Sequence, residues 1–159
     1  MGIKSKIKKI FQQKAYLPIS HPVSCDKEFA GKIALISGGS GGIGISIANS
    51  LRESGCTVVI AGTNEKKLGK ITTETKLDSI VMDYSRPDTF DNVIQKVVDK
   101  YGKLDIFISS AGVHTENVNF WSMNPEEYDR VMDINLKGVF FACQSVGKYM
   151  RGGISKVVF

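Results

Sequence analysis

A glycine-rich segment between an apolar strand and an apolar helix constrains this chain more than any other feature of its sequence. Residues 32–37 contain four consecutive apolar residues and predict a buried strand, which leads directly into the sequence GGSGGIG at positions 38–44. Ile43, Ile47 and Leu51 then share one face of a predicted helix. Glycines permit a tight turn and a close approach of backbone N–H groups to a phosphate, and a helix amino terminus adds partial positive charge. The segment therefore predicts a strand–turn–helix unit suited to binding a phosphate group.

Strand and helix patterns alternate along the rest of the chain. Further strands are predicted at 57–61, 79–82 and 104–109 and from residue 156, and helices at 64–70, at 90–101 and from Pro125 to about residue 150. Gly102 is predicted to end the helix over 90–101. Such alternation implies parallel strands joined by right-handed crossovers, and near-continuous apolar strands imply that helices cover both faces. The fold class is therefore predicted as α/β, a doubly wound parallel sheet that is incomplete, with about five strands.

Four motifs follow one another at the ends of these elements. Gly38, Gly42 and Gly44 have the spacing Gly-x-x-x-Gly-x-Gly, which is neither the GxGxxG dinucleotide motif nor a P-loop. Asp83 follows the third strand, the sequence SSAG follows the fourth at positions 109–112, and Asn135 lies in the long helix. In this order the motifs resemble those of the short-chain dehydrogenase/reductase family over residues 28–159. Ser37 stands where the family signature TGxxxGIG has Thr, and Ser109-Ser110 stands where the family has a pair of asparagines that brace the sheet.

The resemblance implies a Rossmann-like fold and an NAD(P)-dependent oxidoreductase acting on an alcohol or carbonyl. Asp83 is implied to contact the adenine, and Asn135 to serve catalysis by holding a water in the proton relay. Two plainer interpretations stay open: Asp83 caps the following loop or helix, and Asn135 is a polar residue on a solvated helix face. The implied cofactor-binding residues are Ser37, Gly38, Ser40, Gly41, Gly42, Ile43, Gly44, Thr63, Asn64, Asp83, Tyr84, Ala111 and Gly112.

The end of the second predicted strand bears on the choice of cofactor. NAD-binding folds place an acid there to bind the ribose 2′-hydroxyl, about 20 residues after the glycine motif. Here the sequence is Gly62-Thr63-Asn64, and the first acid comes later. A 2′-phosphate would meet no negative charge, and Lys66 or Lys67 could add a positive one. We therefore expect NADP(H) to be favoured over NAD(H).

The residues that the resemblance implies for proton transfer are a serine and a Tyr-x-x-x-Lys pair. None of the five tyrosines is followed four residues later by lysine, and the sequence stops at Phe159, before the place of the serine. We expect the chain to be an inactive fragment of a longer reading frame whose whole protein converts a small-molecule substrate and forms homo-oligomers. One alternative is a short protein that binds a dinucleotide or a partner without catalysis, and another is a different Rossmann enzyme such as a methyltransferase.

Charge and cysteine content narrow the kinds of partner and the cellular setting that we expect for this chain. The formal charge is +5, and five lysines without an acid lie within the first 14 residues, so residues 15–159 sum to zero. This distribution argues against a nucleic-acid-binding domain. Residues 1–27 are predicted as a basic amphipathic extension and linker, in which residues 3–14 either stay solvated or contact anionic lipid or a partner. Three scattered cysteines favour a reduced, cytoplasmic setting and no metal site.

Overall fold

Five parallel strands form one sheet in the computed structural model of the protein, which describes residues 28–115, 119–150 and 156–158. The strands are β1 (Ile33–Ser37), β2 (Thr57–Gly62), β3 (Asp78–Val81), β4 (Ile106–Ser109) and β5 (Lys156–Val158). Their order across the sheet is β3-β2-β1-β4-β5. The chain therefore moves outward from β1 to one edge and then returns to build on its other side. This reversal between β1 and β4 is the topological switch point at which open α/β sheets bind ligands.

Both faces of the sheet are covered, as the apolar strands predict. The five residues of β1 are all buried, and the four apolar ones alternate between two hydrophobic clusters. Leu35 packs on one face with Phe90 and Ile94, whereas Ile36 packs on the other with Ala48 and Leu68. Because side chains alternate along a strand, an apolar strand with helices on both sides gives the doubly wound α/β fold.

Five α-helices connect or follow the strands: α1 (Gly42–Glu53), α2 (Glu65–Thr75), α3 (Phe90–Tyr101), α4 (Pro125–Met132) and α5 (Val139–Tyr149). Short 3-10 turns cover Pro87–Thr89 and Phe120–Ser122. Helix α3 ends as predicted, since Gly102 has a φ of +80° and donates its N–H to the Val98 carbonyl at 2.7 Å. Helix α4 begins at Pro125, and the Asn124 side chain caps it by accepting from the Glu127 N–H at 2.8 Å.

Two predicted helices were wrong in extent. Helix α2 was predicted to stop near residue 70, but it continues to Thr75 because Ile71 also packs against the sheet. Lys76 then ends it in the left-handed region, with a φ of 62°. The predicted long helix from Pro125 is interrupted by a π-helical turn over Asp133–Gly138, between α4 and α5.

The predictions for residues 1–27, the basic extension and linker, lie outside the described residues. Within the described part, no helix is both long enough and apolar enough to span a membrane.

Candidate functional site

The glycine-rich turn follows β1 and lies directly against the loop that follows β4. Gly38 has a φ of +68°, a conformation that side chains rarely adopt. A Cβ at Gly38 would lie 2.5 Å from the Ser110 carbonyl oxygen and 2.6 Å from the Ala111 nitrogen. The Ser110 N–H also donates to the Ser37 carbonyl at 3.1 Å. Glycine is therefore required at position 38 both by the backbone conformation and by the contact with the neighbouring loop.

The amino terminus of α1 faces the same region without a local partner for its partial charge. Gly41 is the N-cap residue and makes no side-chain capping hydrogen bond, and the first turn contains no acidic residue. The first N–H groups of an α-helix have no partner within the helix, and the macrodipole makes this end positive. A helix start of this kind, next to a glycine turn, is suited to binding an anion such as a phosphate.

A cleft of about 280 Å³ opens where the carboxyl ends of the strands meet. Its walls come from the glycine turn, the ends of β2 and β3, the loop after β4 and the π-helical turn. The lining residues are Gly38, Ser40, Gly41, Gly62, Thr63, Lys67, Met82, Asp83, Tyr84, Ser110, Ala111, Gly112, Val113 and Ile134. The cleft thus lies at the switch point of the sheet, where such folds bind ligands.

Most of the residues predicted from sequence to bind a cofactor line this cleft. They are Gly38, Ser40, Gly41, Thr63, Asp83, Tyr84, Ala111 and Gly112. The others lie beside or beneath it. Ser37 is buried below the glycine turn, Gly42, Ile43 and Gly44 form the first turn of α1, and Asn64 caps α2.

Sequence reasoning did not single out four lining residues, Gly62, Met82, Val113 and Ile134. Gly62 and Met82 lie at the ends of β2 and β3, so their position at the carboxyl edge of the sheet was an available signal. Val113 directly follows the predicted Ala111-Gly112 pair. No pattern in the sequence pointed to Ile134, because its place depends on the π-helical turn.

The first turn of α2, which follows β2, brings a positive rather than a negative charge to the cleft. A Cβ at Gly62 would lie 3.3 Å from the Ser40 hydroxyl, so the glycine turn and β2 meet closely here. Asn64 uses its side-chain oxygen to accept the Lys67 N–H at 2.9 Å, which caps α2. Lys67 lines the cleft and its neighbour Lys66 does not. A single lysine therefore stands near the place where NAD-binding folds have an acid.

Asp83 lines the cleft and also bonds within its own loop. Its carboxylate accepts hydrogen bonds from the Ser85 N–H at 2.9 Å and from the Ser85 hydroxyl at 2.8 Å. This is the local turn that aspartate side chains commonly form with the residue two positions later. The capping interpretation of Asp83 and its position in the cleft are thus compatible, because the turn holds the carboxylate at the rim.

Tyr84 is buried below the cleft, and its hydroxyl joins two strands. It lies 2.6 Å from the Ser37 hydroxyl and 3.0 Å from the Ser109 hydroxyl. Burial raises the pKa of the Tyr84 phenol, against the lowering effect of its two serine partners. The phenol is therefore neutral at physiological pH and available as a hydrogen-bond donor. Ser109, which replaces an asparagine of the family motif, has a partner of its own in this arrangement.

Asn135 lies in the π-helical turn and holds the loop after β4 through two hydrogen bonds. Its side-chain oxygen accepts from the Val113 N–H at 2.8 Å, and its side-chain nitrogen donates to the Val113 carbonyl at 2.7 Å. A Cβ at Gly112 would lie 3.3 Å from the same side-chain oxygen. The amide therefore pairs with backbone on this loop although the residue itself is exposed, and π-helical turns are often found at functional sites.

Comparison with known proteins agrees with this geometry. A sequence model of the short chain dehydrogenase family matches residues 32–159. The chain is 34% identical over 125 residues to the 3-oxoacyl-[acyl-carrier-protein] reductase FabG of Thermotoga maritima, covering 76% of this chain and 50% of the relative. It is 36% identical over 126 residues to FabG of Rickettsia typhi, covering 77% and 50%.

Solved structures give the same relationship. The crystal structure of gox2181 superposes with a TM-score of 0.76 at 28% sequence identity, over 81% of this chain and 52% of that one. This chain thus spans about half the length of the proteins it matches. Because the family match covers most of the chain, and because the switch-point cleft lies where the family motifs meet, the chain belongs to the short chain dehydrogenase family.

Proposed function

We propose that the cleft binds a nicotinamide dinucleotide and that the whole protein exchanges hydride between this cofactor and a small-molecule alcohol or carbonyl substrate. The observation that carries the proposal is the glycine turn, which lies beside an uncapped helix start at the switch point. Both features favour a diphosphate, since backbone N–H groups and the helix dipole neutralise its charge without a metal or a lysine. When bound, the nicotinamide supplies the hydride.

The residues of the cleft fit the parts of a dinucleotide. The glycine turn and the first turn of α1 would hold the diphosphate, and Asp83 would lie beside the adenine. The loop with Ala111 and Gly112 would lie beside the ribose at the nicotinamide end, with Asn135 holding this loop in place. The two small residues leave backbone accessible there, and the two Asn135 hydrogen bonds restrict its motion.

We further propose that NADP(H) is preferred and that Lys67 is the reason. A phosphate on the ribose 2′-oxygen would approach the end of β2, where Gly62 has no side chain and Lys67 lines the cleft. Hydrogen bonds between charged groups contribute about 1.5–3 kcal/mol when formed. An exposed lysine gives the lower end of this range, which corresponds to roughly a tenfold difference in affinity.

A titration with Lys67→Gln and the matched control Lys66→Gln tests both the binding of a dinucleotide and the preference for NADP(H). We expect the unaltered protein to bind NADPH about tenfold more tightly than NADH by isothermal calorimetry. Lys67→Gln should remove most of this preference, and Lys66→Gln should keep it. If neither dinucleotide binds, the proposed function is wrong. If both bind equally, only the preference for NADP(H) is wrong.

The proton-transfer step belongs to the proposal for the whole protein. The family resemblance implies a serine and a Tyr-x-x-x-Lys pair for this step, and none of the five tyrosines of this sequence is followed four residues later by lysine. We propose that this chain supplies the cofactor-binding half and binds dinucleotide without turnover on its own.

We also propose that self-association uses the apolar surface around Leu136 and Phe140, whose side chains are exposed on the π-helical turn and on α5.

A further inference from the structure

The Tyr84 hydroxyl connects two neighbouring segments that both line the cleft, the glycine turn and the loop after β4. Its partners Ser37 and Ser109 are opposite each other in the register of β1 and β4. Ser37 is the last residue before the glycine turn, and Ser109 is the last residue before the loop over 110–113. One hydroxyl therefore contacts both strands at the points where they become cleft walls.

The hydrogen bonds at this hydroxyl form a complete chain. With the Ser37 hydroxyl donating to the Ile108 carbonyl at 3.4 Å, the Tyr84 hydroxyl donates to Ser37 at 2.6 Å and accepts from Ser109 at 3.0 Å. All three hydroxyls lie in a buried or half-buried environment, where a lost partner is costly. The arrangement is therefore specific to one separation of the two strand ends.

Packing holds Tyr84 in place independently of its hydroxyl. A Cβ at Gly138 would lie 2.6 Å from the Tyr84 carbonyl oxygen and 2.8 Å from the Tyr84 Cβ, so the end of the π-helical turn presses on this residue. The ring also packs edge-to-face on Phe90, with 5.7 Å between the ring centroids. A phenylalanine at position 84 would keep these contacts, so that Tyr84→Phe isolates the hydroxyl.

We propose that Tyr84 is a positioning residue whose hydroxyl holds the loop over 110–113 in its place against the glycine turn. The inference deepens the proposed function, because a dinucleotide has to contact both walls at once. The adenine end of the cleft, near Thr63 and Asp83, lies on the β2 and β3 side, across β1 from Ser109. Loss of the hydroxyl should therefore weaken the binding of a ligand that reaches the loop more than the binding of a ligand that reaches only the adenine end.

Hydrogen–deuterium exchange of the free full-length protein tests the positioning itself, without any cofactor. In Tyr84→Phe we expect the amides of Ser110 and Val113, which are hydrogen-bonded to the Ser37 carbonyl and the Asn135 side chain, to exchange roughly fivefold faster, the factor that one net hydrogen bond of ordinary strength is worth. The amides in the middle of α3 should keep their rates. Tyr128→Phe, which removes a hydroxyl from a side chain about half exposed on α4, is the matched control and should change neither region.

Binding measurements then test the consequence for the ligand. We expect Tyr84→Phe to weaken the binding of NADPH five- to tenfold. The affinity for adenosine 2′,5′-bisphosphate, which lacks the nicotinamide end, should change by less than twofold. Ser109→Ala should have a similar effect alone and little further effect in the Tyr84→Phe background. Should Tyr84→Phe fail to fold, Ser109→Ala provides both measurements.

The outcomes separate the two proposals. Unchanged exchange at Ser110 and Val113 overturns the positioning role, and so does faster exchange throughout the protein, which would mark Tyr84 as a general contributor to stability. Equal weakening of the binding of NADPH and of adenosine 2′,5′-bisphosphate also overturns the positioning role. Faster local exchange in a protein that binds neither ligand upholds the positioning role and refutes the proposed function instead.

Discussion

Two glycines in the same helical turn should respond oppositely to the same substitution. Gly44 lies against the glycine turn, where an added Cβ would fall on the Gly38 carbonyl oxygen and 2.8 Å from the Gly39 Cα. Gly42 is two residues earlier, and an added Cβ there would meet no atom within 4 Å. Gly44→Ala and Gly42→Ala therefore add the same methyl group to the same helix, once into backbone atoms and once into open space.

The size of the difference follows from two opposing effects. Carbon atoms normally pack at about 3.5–4.0 Å, so Gly44→Ala forces backbone apart by about 1 Å. Overpacking of this kind costs up to about 3 kcal/mol, and alanine returns about 1 kcal/mol through its better helix propensity. Gly44→Ala should thus destabilise by about 2 kcal/mol, whereas Gly42→Ala should be neutral or stabilise by up to about 1 kcal/mol. At about 2–4 °C per kcal/mol, their melting temperatures should differ by roughly 4–12 °C.

Thermal unfolding followed by circular dichroism measures this difference, and NADPH titration adds a second test. If the diphosphate occupies the first turn of α1, the Gly42→Ala methyl group would lie in its way. We expect this variant to lose at least tenfold in NADPH affinity while its stability is kept. Equal destabilisation by the two substitutions would refute the geometric reasoning. Unchanged NADPH affinity in Gly42→Ala would refute the position proposed for the diphosphate.

Two further predictions concern ionisable groups away from the cleft. Burial, reinforced by Asp105, raises the pKa of the Cys56 thiol to about 11 from 9.0, so at pH 8 its thiolate fraction is roughly a hundredfold smaller than in the unfolded chain. Peptide mapping after iodoacetamide treatment should find Cys56 unmodified in the native protein and alkylated in urea, and rapid native alkylation would contradict this. Hydrogen bonds from Lys148 and then Ser145 lower the pKa of Asp91, which joins α3 to α5, so its contribution to stability is complete above the unfolded pKa of about 3.9 and is lost as the pH falls through the folded pKa. Asp91→Asn should therefore lower the melting temperature by a few degrees at pH 7 and by less at pH 2.5, and an equal effect at both values would refute this linkage.

Much of the fold could be predicted because it depends on local patterns. The apolar run of β1 and the stripe of α3 each indicate an element and its buried face, and Gly102 marks the end of α3. The cleft was predictable for a related reason. Parallel strands bring their carboxyl ends to one edge, so Gly38, Asp83 and Ala111 meet there although they are far apart in sequence.

The unpredicted parts depend on contacts between distant residues. The Tyr84 hydroxyl forms hydrogen bonds with Ser37 and Ser109, which lie 47 and 25 positions away in the sequence. The sequence contains no period or motif that pairs Tyr84 with either serine. Asn135 bonds to backbone 22 positions away, where any residue offers the same donor and acceptor. The interruption of the long helix was missed for another reason: residues 133–138 are compatible with an ordinary α-helix, and the π-helical turn follows from tertiary packing.

The π-helical turn also has a consequence for insertions and deletions in this part of the chain. A turn with one extra residue rotates everything after it by about 100° around the helix axis. Helices α4 and α5 are therefore out of phase, and this offset lets Asn135 reach Val113 while Ala142 and Val146 still face the core. Deleting a single residue between 133 and 138 would restore one regular helix, in which the Asn135 contact and the buried face of α5 could not both be kept. The length of this segment is accordingly as constrained as its composition.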